Sequence, residues 1–325
     1  MGRNSAGDSF LKGYFTHGTP EHFWVYAKTK NQAQIFADRL SQQSKKNEAK
    51  FISWNSFSGL KDPGTIFFPG PNFKTLAWQR RLADETDWSI CGITHTTSSA
   101  MAMDAIGSFY TEPIKSWDAL ICTSNSVKNN VEFILENKKR YLKDELGLLS
   151  FTEPKLPVIP LGINTKDFKS SEENRQLARK SFEIDENTLV VLYVGRLSFH
   201  AKANPVPMYL AVEKAAKLNP SKKIKIIECG WYSNDWIKSA FSELSTNILD
   251  DVELITIDGR DQEKVKTAWH SADIFCSFSD NIQETFGISP IEAMASGLPV
   301  VVSDWDGYKE SVRDQVDGFR IHTIM

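Results

Sequence analysis

Glu284 and Glu292 stand with seven residues between them in the run Glu284-Thr285-Phe286-Gly287-Ile288-Ser289-Pro290-Ile291-Glu292. Gly287 allows backbone to come close to a ligand, and a helix starting just beyond it would aim its unpaired amides at the same point, an arrangement that binds anions. Ser289-Pro290-Ile291-Glu292 also reads as a capping box with Ser at N-cap, Pro at N1 and Glu at N3, which gives Glu292 a structural reading beside the functional one. Glu284 has no such second reading. It precedes the loop glycine where an apolar strand has just ended, and that is where open α/β sheets bind ligands. Upstream, Val194-Gly195-Arg196-Leu197 ends another apolar strand, with Lys202 in the loop that follows. A lone loop lysine is usually a solvated surface charge, but an Arg and a Lys together can hold a diphosphate.

These side chains need a frame. Apolar runs of strand length recur at Phe23 to Ala27, Phe51 to Trp54, Thr65 to Phe68, Ser89 to His95, Ala119 to Thr123 and Val158 to Ile163, with helical stretches between them. A second series runs through Leu189 to Val194, Ile224 to Cys229, Val252 to Ile257, Ile274 to Phe278 and Val300 to Ser303. The strands are apolar throughout rather than alternating, as in parallel sheets covered on both faces. Between the series, Asn164 to Asn187 is polar and charged, suiting a linker or hinge with a flanking helix. The expected fold class is therefore α/β, with two Rossmann-like doubly wound domains, 1–165 and 166–325, facing across a cleft.

A length of 325 residues with 41% hydrophobic and 24% charged content fits a two-domain enzyme, and a net charge of −3 offers no electrostatic case for nucleic acid. Cys91, Cys122, Cys229 and Cys276 are scattered without Cys-x-x-Cys spacing, so neither a zinc site nor a disulfide framework is indicated. No apolar stretch is long enough to be a transmembrane segment, and the polar N-terminus lacks a signal-peptide core. A cytoplasmic location is the expectation by default.

The E-x7-E run followed by Ala293-Met294-Ala295-Ser296-Gly297-Leu298-Pro299-Val300-Val301 resembles the donor site of retaining glycosyltransferases of family four, the glycosyl transferases group 1. Gly195-Arg196-Leu197 with Lys202, Ser271-Ala272-Asp273-Ile274-Phe275 and Ile159-Pro160-Leu161-Gly162-Ile163-Asn164 occur in the order that family shows. The resemblance implies a GT-B fold, with the first domain on the acceptor side and the second binding the donor. It implies that the chain moves a sugar from a nucleotide-diphosphate donor to a hydroxyl acceptor with retention at the anomeric carbon. No protein nucleophile is implied: the acceptor attacks from the leaving group's own face while the enzyme supplies positioning and fixed charge.

By that resemblance Arg196 and Lys202 contact the donor diphosphate, Glu284 lies near the donor sugar and Glu292 accepts hydrogen bonds from the ribose. The amides of Phe286, Gly287 and Ile288 would complete an anion cradle. His95, at the exit of an apolar strand, corresponds to a histidine close to the transferred sugar, although a lone histidine is as often structural. Gly2, Ser5 and Gly7 resemble the flexible glycine loop bordering acceptor and donor phosphate, with a disordered tail as the other reading. In the family a glycine pair after the last long strand lies beside the donor; here Gly307 stands with Tyr308 in the second place. Asp304-Trp305-Asp306 has the spacing by which another glycosyltransferase architecture holds a metal. It is set aside because it follows the last long strand and because Arg196 and Lys202 already carry the charge, so no metal or cofactor is expected.

Relatives of this pattern begin with a strand before the glycine loop and continue beyond the turn and strand start at Asp317 to His322. A fragment lacking an inner strand and the closing helices is therefore expected. That makes a nucleotide-sugar-binding chain without turnover the alternative function. Donor base, donor sugar and acceptor are not legible.

Overall fold

The computed structural model describes residues 2–43, 48–281 and 284–323. The chain divides into two compact units, one of residues 7–162 and one of residues 163–325 grouped with residues 1–6, against an expected division at 165.

In the first part of the chain α1 (Gly2–His17) leads to β1 (Phe23–Ala27), α2 (Lys30–Gln43), β2 (Ala49–Ser53), β3 (Thr65–Phe68), α3 (Lys74–Leu82), β4 (Ser89–Ile93), α4 (Ala100–Gly107), β5 (Ala119–Ile121) and α5 (Asn125–Leu146). Every strand pairing here is parallel, but the strands form two sheets, β1-β2 and β3-β4-β5. Helix α1 touches both: Phe10 stacks on Phe67 with centroids 4.4 Å apart, and Phe15 meets Phe23 edge to face at 5.7 Å. The expected strand Val158 to Ile163 is reduced to a single bridge between Val158 and Cys122. Asp118 organises the second sheet from inside. It takes both Arg80 Nη1 and Nη2 at 2.7 Å and the backbone amides of Ile90 and Lys115 at 2.8 Å, with both charged side chains almost fully buried. A buried charge is tolerable only when its lone pairs are filled this completely.

The second part runs through α6 (Glu172–Ser181), β6 (Thr188–Val194), α7 (Val206–Leu218), β7 (Lys223–Gly230), α8 (Asp235–Ile248), β8 (Glu253–Asp258), α9 (Gln262–Ser271), β9 (Ile274–Ser277), α10 (Ile288–Ala295), β10 (Val300–Ser303), α11 (Tyr308–Ser311) and β11 (Gly318–Ile321). The six strands form one parallel sheet in the order β11-β10-β9-β6-β7-β8. Side chains of a strand alternate between faces, and in β6 Val190, Leu192 and Val194 enter one core while Val191 and Tyr193 enter the other. Both faces being covered explains why the strands read as unbroken apolar runs.

The stretch expected as a hinge is partly built into this unit. Helix α6 is capped by Ser171 and pinned to the sheet by Arg175 and Arg179, which both donate to Asp273. Asp273 Oδ2 also accepts from Val190 N at 2.8 Å, so one carboxylate ties the helix to the edge of β6.

Candidate functional site

The strand order of the larger sheet decides where a ligand can sit. β6 and β9 are neighbours, yet the chain leaves β6 toward β7 on one side and β9 toward β10 on the other. At such a reversal the two connecting loops part and leave a crevice outside the carboxyl ends of the strands. Arg196 emerges directly after β6, Lys202 lies on the following loop, and Glu284 lies on the loop after β9. Gly195 and Gly230 pack backbone to backbone there, since a Cβ on Gly230 would lie 1.9 Å from the Gly195 carbonyl oxygen.

Lys202 and Glu284 meet: Lys202 Nζ donates to Glu284 Oε2 at 2.8 Å, and Glu284 is buried. The Lys202 main chain is held as well, because its carbonyl accepts from Ser279 Oγ at 3.2 Å and from Asn281 Nδ2. Beneath them Tyr193 donates its hydroxyl to the Arg196 carbonyl at 3.0 Å. Burial, then the charges of Glu284 and Glu228, push the Tyr193 phenol pKa upward while Arg196 pulls it down. Tyr193, next to the last residue of β6, thus feels both charges.

Gly287 adopts φ +78°, a left-handed conformation open to glycine, and it occupies the N-cap of α10, whose cap carries no side-chain hydrogen bond. The capping box expected from Ser289 is therefore corrected. The helix begins at Ile288, one residue before Ser289, because the turn is made by the glycine and not by a hydroxyl cap. Glu292 is buried within α10 and is not a free carboxylate.

A second loop, 304–308, clamps this one. A Cβ on Gly287 would fall 1.9 Å from the Tyr308 ring, and one on Gly307 would fall 2.3 Å from Phe286 Cα. Trp305 Nε1 donates to the Asn281 carbonyl at 3.1 Å, and the Tyr308 hydroxyl shares a 3.0 Å hydrogen bond with Ser277 Oγ. Between these contacts Asp306 takes φ +38°. Its carboxyl pKa is pushed up to about 6, first by desolvation and further by Glu284, with Lys309 pulling the other way.

Of the residues expected at a site, Arg196, Lys202, Glu284, Phe286, Gly287, Ile288 and Glu292 all lie in the unit of residues 163–325, while His95 lies just beyond β4 in the other. Gly2, Ser5 and Gly7 are corrected: they are not in a loop but in the first two turns of α1. The intervening residues form a helix despite their glycines, continuous with the stretch that places Phe10 and Phe15. Tyr193, Asp306 and Tyr308 escaped sequence reasoning as site-forming residues. Tyr193 is hidden in an apolar run, and Asp306 and Tyr308 were read through metal spacing and a missing glycine. Only the folded contacts reveal them.

Residues 174–323 match the family described as Glycosyl transferases group 1. Among curated proteins the chain is similar to an uncharacterized glycosyltransferase of Methanocaldococcus jannaschii, 28% identical over 184 residues, covering 56% of this chain and 45% of the relative. It is also similar to the D-inositol 3-phosphate glycosyltransferase of Corynebacterium kroppenstedtii, 24% identical over 205 residues, covering 62% and 44%. The chain spans about half the length of the curated relatives it matches. Among solved structures it resembles Anabaena HepE in complex with UDP, with TM-score 0.64 and 16% identity, covering 98% of this chain and 82% of that one. A glycosyltransferase from Rickettsia africae gives TM-score 0.61 and 16% identity, covering 98% and 80%. The fold is that of GT-B glycosyltransferases.

Proposed function

From the match of residues 174–323 to the family Glycosyl transferases group 1 we propose that the chain transfers a sugar from a nucleotide-diphosphate donor to a hydroxyl acceptor with retention of anomeric configuration. The observation that carries this reading is the Lys202–Glu284 ion pair beside the loop that carries Arg196, at the point where the strand order reverses. Negative charge grows on the departing diphosphate as the glycosidic bond breaks. Guanidinium and ammonium groups already in place stabilise it without reorganisation. Arg196 and Lys202 take that role, the amides opening α10 add to it, and no metal is required. Glu284 faces the sugar, Glu292 accepts from the ribose, and His95 is assigned to the transferred sugar by resemblance alone. UDP is the first nucleotide to test, because HepE, which shares the fold, was crystallised with it.

A second reading, donor binding without turnover, is favoured by one observation: the stretch from Gly2 to Gly7 is helical where a flexible phosphate-bordering loop was expected. One experiment separates the two. Purified protein is titrated with UDP and UDP-glucose by calorimetry, and UDP release is followed with a panel of hydroxyl acceptors in the presence and absence of EDTA. Binding that Arg196→Ala and Glu292→Ala weaken, with EDTA-insensitive release, supports transfer. Binding with no release under any acceptor supports the second reading, and no binding of any nucleotide sugar overturns both.

A further inference from the structure

We propose that Asn281 is a positioning residue of the donor site: its side-chain amide and its own carbonyl tie three loops together and so hold Lys202 where a diphosphate can take up its ammonium. The proposal rests on the donor-binding reading above.

The loops that supply Lys202 and Glu284 have no ladder between them. β6 pairs with β9 only at Val191–Ile274 and Leu192–Phe275, and beyond those pairs the chain leaves the two strands toward opposite sides of the sheet. A lysine carries its charge on a flexible four-carbon stem, so its ammonium is placed only as well as its main chain is held. Contacts across the loops do the holding. Lys202 N donates to the Ser198 carbonyl at 2.9 Å, and Ala203 forms an isolated antiparallel bridge with Ser279. The Lys202 carbonyl accepts from Ser279 Oγ at 3.2 Å and from Asn281 Nδ2, which engages both of its lone pairs.

The two donors differ in what stands behind them. Ser279 is buried and its carbonyl accepts from Ser303, so it belongs with the strand ends. Asn281 is half-buried and joins loop to loop. Its carbonyl accepts from Glu284 N at 3.1 Å and from Trp305 Nε1 at 3.1 Å. The loop after β6 therefore reaches it through Lys202, the loop after β9 through Glu284, and the loop after β10 through Trp305. Removing the Asn281 side chain leaves every strand pairing in place and releases one side of the Lys202 main chain. More conformational freedom must then be lost when the ammonium captures a diphosphate, and affinity falls by that cost.

The test is a double-mutant cycle in UDP affinity, with GDP and ADP run in parallel, measured by calorimetry and, for weak variants, by thermal shift at millimolar nucleotide. For whichever nucleotide binds, Asn281→Ala is expected to weaken affinity about fivefold in the wild-type background, the size of one lost hydrogen bond. In a Lys202→Met background the same substitution should change affinity by less than about twofold, because no charge is left to position. Trp305→Phe, which removes only the indole N–H holding Asn281, should weaken affinity in the same direction and be equally silent beside Lys202→Met. Thermal unfolding without nucleotide checks the fold of each variant. A general structural role would lower affinity equally in both backgrounds, and that result overturns the proposal. So does unchanged affinity of Asn281→Ala in the wild-type background, with the donor-binding reading intact in either case. Failure of every nucleotide to bind the wild-type protein overturns both.

Discussion

Lys202 is held by Glu284 at 2.8 Å before any donor arrives, so an incoming diphosphate must compete with a carboxylate for the same ammonium. Glu284→Gln should therefore tighten binding of UDP alone a few-fold in calorimetry while weakening discrimination among UDP-sugars. Arg196, whose carbonyl is held by Tyr193 and whose guanidinium bears no ion pair among the described residues, has no such competitor. Arg196→Ala should cost about 1.5–3 kcal/mol of diphosphate affinity, roughly ten- to a hundredfold in Kd. A different carboxyl governs stability. Glu228 is buried beneath the site, its Oε1 accepts from the Tyr209 hydroxyl at 2.7 Å, and burial pushes its pKa up to about 7. Its folded pKa lies above the ordinary 4.5, so its contribution to stability is complete below about pH 4.5 and is lost as pH rises through about 7. Glu228→Gln, which keeps the shape and cannot ionise, should raise Tm at pH 8 by an amount worth up to about 3 kcal/mol and change it little at pH 4.5.

At the scale of elements, the site depends on two loops locked together. Gly287 is required twice, by φ +78° and by the Tyr308 ring lying where a Cβ would go. Gly297 has a similar φ of +81° but open space around it. Gly287→Ala should thus destabilise the fold by more than about 2 kcal/mol and abolish nucleotide binding, whereas Gly297→Ala should cost about 1 kcal/mol and leave binding unchanged. Denaturant unfolding and calorimetry on the pair check this contrast. Apolar runs with β-branched residues foretold ten of the eleven strands among the described residues within a residue or two, because strands buried on both faces leave that signature whatever the topology. The eleventh, β11, was read only as a strand beginning. The run Val158 to Ile163 has the same signature without the ladder, since it reaches its neighbour through one bridge.

For the whole molecule, the proposed nucleotide site of residues 163–325 and the Arg80–Asp118 pair of residues 7–162 belong to separate units. Asp118→Asn strands a buried guanidinium and should cost about 3–5 kcal/mol, visible by calorimetry as the downward shift of one unfolding transition. At low temperature, where the protein stays folded, UDP affinity should remain within about twofold of wild type. Residue types and spacing were enough to settle the α/β class, and they suggested the pattern around Glu284 and the roles proposed for Arg196 and Lys202, because strand burial and anion-holding loops are written in local runs of sequence. The tertiary fold alone decided that β6 lies beside β9, that Gly287 rather than Ser289 begins α10, that Gly2 to Gly7 coil into a helix, and that Gly307 is pressed on Phe286. Each of those depends on contacts between residues distant in the chain or on competition between local conformations, and no local run of residue types encodes the outcome of either.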